Sequence, residues 1–485
     1  MISNFFGWLA LLLPLAHWAL VITLTGRLLS RRRAASELVG WLLVIWSVPF
    51  VGVGAYLFFG EPWLCSSRTR RVRDLERPIE RLMARIDRKA GTEPDVLPGP
   101  IEGVARVGLA TDAMPVVGGN DVELLDGAEE AFPAMIEDIE QAKRSLDLLF
   151  FIWQSRGRVL ELEAAIARAA RRGVHCRVLV DATGGRAFLG SASAEALREA
   201  GVEIASALPV RWLRARLQRI DLRNHRKLLI VDEKIAYTGS LNMADPKHFK
   251  QKAGVGEWVD VMARVQGPGV ASLSAVFESD WLIETKRTRA EDIAREPIPA
   301  PAGDVEMQVV PSGPGVHAQT IHRMIVQGAH EARSELVLTT PYFTPDEAMM
   351  AALVTAAQRG VEVTLIVPER VDSLMVSLAS GAYYQDLLDA GARVRLYRGG
   401  LLHAKTVLID GVLAMLGTVN MDRRSFGLNF ELSIFLYDRG VCARLAKIHK
   451  RYLADSVSLT DTEWPRRPRA RRMAENAMQV LAPLL

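Results

Sequence analysis

Three cysteines in 485 residues, Cys65, Cys176 and Cys442, imply no disulfide framework and fit a reducing compartment. Histidines at metal-ligand spacing are missing too. His175, His248, His317, His322, His330 and His449 are scattered without clustered cysteines, so no metal site is expected. His317 and His322 read as ordinary polar residues at a helix start. Net charge is scarce: 60 basic against 56 acidic residues leave +4. Any charged partner must therefore be read from local clusters, not from an overall field.

Long apolar runs are what the chain has in excess. Phe5 to Gly26 carries no Asp, Glu, Lys or Arg, and Leu38 to Gly60 is a second such run. At about 1.5 Å per residue each can cross a hydrocarbon core of roughly 30 Å. The expectation is a hairpin of two transmembrane helices within residues 1–62, with Pro14 as a kink and His17 as a mild cost. A cleaved signal peptide is disfavoured because the first run lacks a basic start. Arg27, Arg31, Arg32 and Arg33 follow the first run, and Arg68, Arg70, Arg71 and Arg73 follow the second. Two full spans put these clusters on opposite sides, which divides the positive-inside signal. Arg77, Arg81 and Arg85 tip the balance towards a cytoplasmic catalytic region.

A short pattern occurs twice. His225, Lys227 and Asp232 form H-x-K-x4-D, followed by Gly239-Ser240-Leu241-Asn242. His403, Lys405 and Asp410 repeat it, followed by Gly417-Thr418-Val419-Asn420. Each copy runs into an apolar stretch that reads as a buried strand, Leu228–Val231 or Thr406–Ile409. Residues two apart on a strand share a face, so each His and Lys point together. Asp232 and Asp410 have the opposite parity and read as supports for the strand end. The set His225, Lys227, Asp232, His403, Lys405 and Asp410 is the candidate catalytic core. Asn242, Asn420, Ser240 and Thr418 are candidates for holding a substrate phosphate.

That inventory suits a phosphodiester. Lysine and asparagine can offset charge on non-bridging oxygens. One neutral histidine can attack phosphorus while a protonated one gives its proton to the leaving alcohol. Two motifs supply both roles if the repeats face each other across a pseudo-twofold axis. A histidine in either role needs a partner on its other ring nitrogen. Asn429-Phe430-Glu431 and Glu257-Trp258-Val259-Asp260 each place a carboxylate in a strand-like apolar run downstream of a motif.

The paired motif resembles the signature of the phospholipase D superfamily. That superfamily has an acidic residue in such downstream runs, and the resemblance implies Glu431 and Asp260 as the candidate orienters, with Glu257 the alternative in the first half. Over nearly its whole length the chain is similar to bacterial cardiolipin synthases of that type. The matching stretches include Asn224-His225-Arg226-Lys227, Thr238-Gly239-Ser240, Trp258-Val259-Asp260 and Ser312-Gly313-Pro314. Thr340-Pro341-Tyr342-Phe343, Gly399-Gly400-Leu401-Leu402-His403 and Leu428-Asn429-Phe430-Glu431 match as well. Thr418 replaces the usual serine and keeps the hydroxyl; Val259 stands where many relatives have arginine.

The resemblance implies an α/β fold: two pseudo-symmetric phospholipase D-type lobes with the active site at their interface, behind the N-terminal membrane hairpin. It also implies transfer of a phosphatidyl group between two phosphatidylglycerol molecules through a phosphatidyl-histidine, giving cardiolipin and glycerol. His225 is then the expected nucleophile and His403 the acid and base. No metal and no cofactor are expected.

The repeat extends beyond the motifs. Ala142-Lys143-Arg144-Ser145 parallels Ala332-Arg333-Ser334, and Arg172-Gly173-Val174 parallels Arg359-Gly360-Val361. Strands alternate with helical stretches such as Leu160 to Arg171 and Asp346 to Gln358, the pattern of βα units on a parallel or mixed sheet. The expected plan is a basic juxtamembrane linker at 63–118, a first lobe at 119–296, a proline-rich linker at 297–303, a second lobe at 304–463 and a basic amphipathic segment at 464–485. That last segment, with Arg466, Arg467, Arg469, Arg471 and Arg472, and the stretch Leu208 to Ile220, with Arg211, Arg214, Arg216 and Arg219, suit an anionic lipid surface. Expected partners are phosphatidylglycerol and anionic lipids of the bacterial plasma membrane, not nucleic acid. Oligomeric state leaves no mark in the sequence. The rivals are a hydrolase with the same residues, a non-catalytic scaffold, and a synthase that takes phosphatidylethanolamine as partner.

Overall fold

A computed structural model describes the chain except for residues 1, 31–34, 61–65, 98–100, 112–113, 210–220, 286–292, 296, 315–318, 461–463 and 482–485. The basic stretch from Leu208 to Ile220 therefore lies, from residue 210 on, outside the described residues, as does His317. Two compact units emerge: 1–69 with 210–222, and 70–209 with 223–485.

Seven strands build the first repeat: β1 (Val116–Asp126), β2 (Ser145–Phe150), β3 (His175–Asp181), β4 (Glu203–Ala207), β5 (Leu228–Val231), β6 (Ile235–Gly239) and β7 (Val261–Gln266). Seven build the second: β8 (Val305–Ser312), β9 (Glu335–Thr339), β10 (Glu362–Pro368), β11 (Arg393–Tyr397), β12 (Thr406–Ile409), β13 (Leu413–Gly417) and β14 (Glu431–Leu436). An extra strand, β15 (Ser456–Leu459), sits at the edge of the second repeat. All fifteen form one sheet, β15-β11-β10-β9-β12-β13-β14-β8-β1-β7-β6-β5-β2-β3-β4. From the antiparallel β1–β8 seam outward, the first lobe runs 1-7-6-5-2-3-4 and the second 8-14-13-12-9-10-11, the same order raised by seven. The duplication seen in the motifs is thus a duplication of topology.

The sheet is mixed. The outer strands pair in parallel, β2–β3–β4 and β9–β10–β11, and the inner ones antiparallel. Parallel pairs need crossovers. Helices Arg158–Arg171 and Ala192–Glu199 supply them in the first lobe, and Glu347–Gln358 and Leu374–Asp389 in the second. Both faces of the sheet are covered, so the motif strands are buried at every position and apolar except at Thr406, whose hydroxyl is hydrogen-bonded to Thr339 and His449. In β5, Leu228 and Ile230 enter a core shared by both lobes, while Leu229 and Val231 enter the first lobe's own core. In β12, Leu408 joins the shared core and Val407 and Ile409 join that of the second lobe. Full burial of each such side chain stabilises by about 1.5–3 kcal/mol.

Within the flanking segments the local structure differs from a plain linker and a pair of spans. The juxtamembrane stretch is largely helical, Ser66–Ala90 and Glu102–Ala110, and Leu75, Leu82 and Ile86 are buried in the shared core. The C-terminal helix Arg469–Leu481 is tied to the second lobe. Its buried Glu475 pairs with Arg467 and Arg471, and both guanidinium groups lie over Trp464. Those two arginines therefore have partners within the protein and are less available to lipid. In the N-terminal unit, helix Ile2–Leu29 contains the one stretch among the described residues long and apolar enough to cross a membrane, Leu12–Leu29. The second apolar run, expected as another transmembrane helix, is instead broken into Ala35–Ser47 and Val51–Phe59. Pro49 has no amide hydrogen and disfavours helical backbone at Val48, which accounts for the break.

Candidate active site

His225 immediately precedes β5 in the loop that leads to Lys227, and His403 precedes β12 in the same way. Each of these approach segments is zipped onto the opposite lobe. The backbone N–H of His225 donates to the Phe430 carbonyl at 2.8 Å, and that of His403 donates to the Val259 carbonyl at 2.7 Å. Leu401–Leu402 pairs in parallel with Trp258–Val259, and Asn224 bridges Phe430. Such close passage needs small residues. Gly400 has φ +130°, and a Cβ there would meet the Glu257 carbonyl oxygen at 2.3 Å.

The same crossing exchanges the carboxylates. His225 Nδ1 lies 3.0 Å from Glu431 Oε2, and His403 Nδ1 lies 2.6 Å from Asp260 Oδ1. Each imidazole is held through Nδ1 by an acid from the other repeat, so Nε2 is the nitrogen not engaged by that carboxylate. Glu257 has no such contact; its carbonyl accepts from Leu401 N–H. Lys227 and Lys405 are fully buried side chains whose ammonium groups each donate to the carbonyl of their own histidine.

The hydroxyls take a different place from the one expected. Ser240 Oγ donates to Asp260 at 2.6 Å and accepts the Val261 N–H. Thr418 Oγ1 donates to Glu431 at 2.5 Å and accepts the Leu432 N–H. Both hydroxyl hydrogens are engaged in steadying the carboxylates, so neither points to a role in gripping phosphate. The two asparagines also diverge. Asn242 accepts the Ile152 N–H through Oδ1 and leaves a buried Nδ2 without a protein partner, poised as a donor. Asn420 turns towards Asp422 and leaves Oδ1 unpartnered.

The motif aspartates lie at the far end of their strands. Asp232 takes the backbone N–H groups of Lys143, Arg144 and Ser145, and Asp410 takes those of Arg333, Ser334 and Glu335. Those amides hold both carboxyls below the usual range in spite of partial burial. They tie the start of β2 or β9 to the end of the motif strand and touch no reacting group, which explains the repeated Ala-Lys-Arg-Ser and Ala-Arg-Ser stretches.

Comparison with known proteins agrees with this plan. The family described as cardiolipin synthase, PLD-like domain matches residues 135–281 and 325–453, one segment per lobe. A phospholipase D-nuclease N-terminal family matches residues 15–61. Cardiolipin synthase A of Pectobacterium carotovorum is 38% identical over 489 aligned residues, covering 100% of both chains. That of Edwardsiella ictaluri is 40% identical with the same coverage. The chain belongs to the cardiolipin synthase family. Among solved structures, phosphatidylserine synthase from Haemophilus influenzae shares the fold with a TM-score of 0.59 at 17% identity, covering 79% of this chain and 100% of its own.

The cardiolipin synthase site is electrostatically tight. Burial pushes His403 down to about 3, helped by the charge of Lys405 and opposed by Asp260. His225 is lowered as well, by burial first and by Lys227, with Glu431 opposing. Burial brings Lys227 down to about 8 and Lys405 well below its ordinary value. Burial acts to raise both carboxylates, but their histidine, lysine and hydroxyl neighbours outweigh it and hold Asp260 and Glu431 low. The resting site thus favours two neutral imidazoles beside two ionised carboxylates.

Sequence reasoning passed over several residues around this centre. Arg226, between the motif His and Lys, spans the lobes: it pairs with Asp280 at 2.8 Å and donates to the carbonyls of Glu431 and Ser312. Its place inside Asn224-His225-Arg226-Lys227 was the available signal. Phe151 meets the His225 ring edge-on at 4.9 Å, and Trp258 lies 4.3 Å from that of His403. Lys250 lies over Trp258 and pairs with Asp372, which also accepts from Tyr342. No spacing in the sequence announces that last cluster, because its members come from three separate segments.

Proposed function

We propose that this enzyme condenses two phosphatidylglycerol molecules into cardiolipin and glycerol at the bacterial plasma membrane, with its catalytic region on the cytoplasmic side. The observation that carries the reading is the exchange of carboxylates. Two imidazoles from two repeats have their Nδ1 atoms fixed by the opposite lobe, beside two buried lysines. That geometry suits in-line displacement at one phosphorus.

In the first half-reaction His225 Nε2 attacks phosphorus while the P–O bond to the glycerol head group breaks. His403, neutral at rest, takes up a proton at Nε2 as the negatively charged phosphodiester enters beside it, and gives that proton to the departing oxygen. The product is a phosphatidyl-histidine whose imidazolium charge is balanced by Glu431. In the second, neutral His403 takes the proton from the terminal hydroxyl of another phosphatidylglycerol. That oxygen attacks phosphorus, the P–N bond breaks and His225 leaves as a neutral imidazole. Lys227, Lys405 and Asn242 hold the non-bridging oxygens as charge grows on them, which is usually the largest catalytic term. No energy source is required, since one phosphodiester replaces another.

Membranes containing the full chain, given phosphatidylglycerol labelled in its head group and acyl chains, decide the matter. Labelled cardiolipin with free glycerol is the expected outcome. Phosphatidic acid with glycerol would mean that water is the acceptor and would overturn transfer. A product formed only when phosphatidylethanolamine is added would move the acceptor to that lipid.

A further inference from the structure

We propose that residues 35–59 form a re-entrant helical hairpin seated in one leaflet, so that the chain crosses the membrane once, in helix Ile2–Leu29, and re-emerges on the side it left. The inference rests on the N-terminal unit alone and is independent of the chemistry above.

Ring contacts measure the fold-back. Trp41 and Tyr56 lie with their ring centroids 5.3 Å apart. On one continuous helix, 15 residues would separate them by about 22 Å. Helices Ala35–Ser47 and Val51–Phe59 therefore lie side by side, at lengths of about 20 and 14 Å, each too short for a core of roughly 30 Å. The depth of the turn is marked on the first helix. Phe50 at the tip sits 4.5 Å from the ring of His17, and Trp46 lies 5.5 Å from Trp18 and donates to Thr25. His17 is 12 residues before Leu29, about 18 Å along the helix, so the tip reaches about the middle of helix Ile2–Leu29 and stops.

The hairpin is built for hydrocarbon. Val21, Leu24 and Leu28 of the long helix pack with Ile45, Val53 and Tyr56 of the hairpin in one cluster. Leu43, Trp46, Val48, Val51 and Leu57 are exposed around it, as residues facing acyl chains would be. Backbone exposed to lipid must be satisfied internally. At the turn, Val48 donates to Val44, Val51 to Pro49 and Gly52 to Val48, while Pro49 has no N–H to satisfy. Gly52 permits the closure: a Cβ there would stand 2.0 Å from the Val44 carbonyl oxygen.

This path also resolves the divided arginine signal. With two spans, the cluster at Arg27 to Arg33 and the cluster at Arg68 to Arg73 fall on opposite sides. With one span and a re-entrant hairpin they fall on the same side, and the positive-inside rule places both in the cytoplasm with the catalytic region.

Cysteine accessibility in intact cells expressing the full chain tests it. Cys176 and Cys442 are buried, so native Cys65 reports on the segment after the hairpin. In a Cys65→Ser background, Ser3→Cys reports on the N-terminus and Arg32→Cys on the connection after the first helix. With a membrane-impermeant maleimide, Ser3→Cys should label from outside, whereas Arg32→Cys and Cys65 should label only after permeabilisation. Labelling of Ser3→Cys and Cys65 together, with Arg32→Cys on the other side, would establish two full spans and overturn the proposal. All three on one side would overturn it too, because the first helix would then not cross. As a second measure, Trp41→Cys with Tyr56→Cys should be joined by a short bifunctional maleimide. Failure to cross-link in a folded, active chain would refute the fold-back.

Discussion

The two half-sites obey one plan and differ in detail. In the first, the motif reads Asn224-His225-Arg226-Lys227; in the second, Leu402-His403-Ala404-Lys405. Arg226 and Asn224 both reach Asp280, so the first half carries a buried ion pair of its own, from which Arg226 also donates to the Glu431 and Ser312 carbonyls of the second lobe. Its counterpart Ala404 is simply buried. The His225 side chain keeps 12% of its surface exposed and that of His403 only 4%. Asn242 holds a free buried donor, whereas Asn420 leans on Asp422. The first half is thus the more open and the richer in available donors, which fits the nucleophile's role proposed for His225. The second is the more enclosed, which suits a group that must hold a proton away from water. Pseudo-symmetry supplies two imidazoles, and the departures from it fit the different work proposed for each.

The sharpest way to break this comparison is to remove each imidazole. His225→Ala and His403→Ala should both lower transfer by at least about 10³-fold, since nucleophile and general acid are lost respectively. Acyl-labelled phosphatidylglycerol then separates them. Covalent label, formed slowly where the general acid is missing, should be found on His403→Ala and be absent from His225→Ala; the reverse pattern would exchange the two roles.

The carboxylates offer a finer test. Glu431→Gln and Asp260→Asn should each cost about 10²–10⁴-fold in kcat, since the imidazole loses its tautomer and orientation. Each acid raises the pKa of its histidine, so each substitution moves that histidine's titration towards lower pH. A nucleophile must be neutral and sets the rising limb of the pH profile, while the acid must be protonated and sets the falling limb. Glu431→Gln should therefore shift the rising limb of kcat/KM to lower pH, and Asp260→Asn the falling limb. In the unaltered enzyme both limbs should lie below the ordinary histidine value near 6.5, because burial lowers both groups.

Arg226→Met separates stability from chemistry. It leaves Asp280 buried with its ionic partner gone, a loss of about 3–5 kcal/mol. Thermal unfolding in detergent should show the drop, while Ala404→Gly at the matching position should lower Tm far less. The smallest effect belongs to the strand-end supports. Asp232→Asn and Asp410→Asn should lower stability by about 1–3 kcal/mol and leave the limbs of the pH profile where they were. A shifted limb would mean that these groups act on the histidines after all.

Much of the catalytic half was legible because its signals are local. Parity along Leu228–Val231 and Thr406–Ile409 separates the His–Lys pair from Asp232 and Asp410, and the structure keeps that division. The helices around Leu160 and Asp346 follow from periodicity, and Asp346 caps the second of them. The role of Ser240 and Thr418 was not legible. A hydroxyl two residues before an asparagine looks like a phosphate ligand until the strand carrying the carboxylate is laid beside it. Nor could apolarity alone distinguish a full span from two short helices, since hydropathy along Leu38 to Gly60 is blind to a turn at Pro49.

The sequence by itself determined that there are two equivalent motifs, that each presents an imidazole and an ammonium on one face, and that the chain begins in apolar helix. Only the tertiary structure decided which carboxylate serves which histidine, which hydroxyls are already engaged, and how far the second apolar run travels. The physical reason is range. Strand parity and helix period are set by neighbours a few residues apart. The partner of His225 lies 206 residues away in the chain, and that of His403 lies 143 away. Each is brought within hydrogen-bond reach only when the two lobes close on their common sheet.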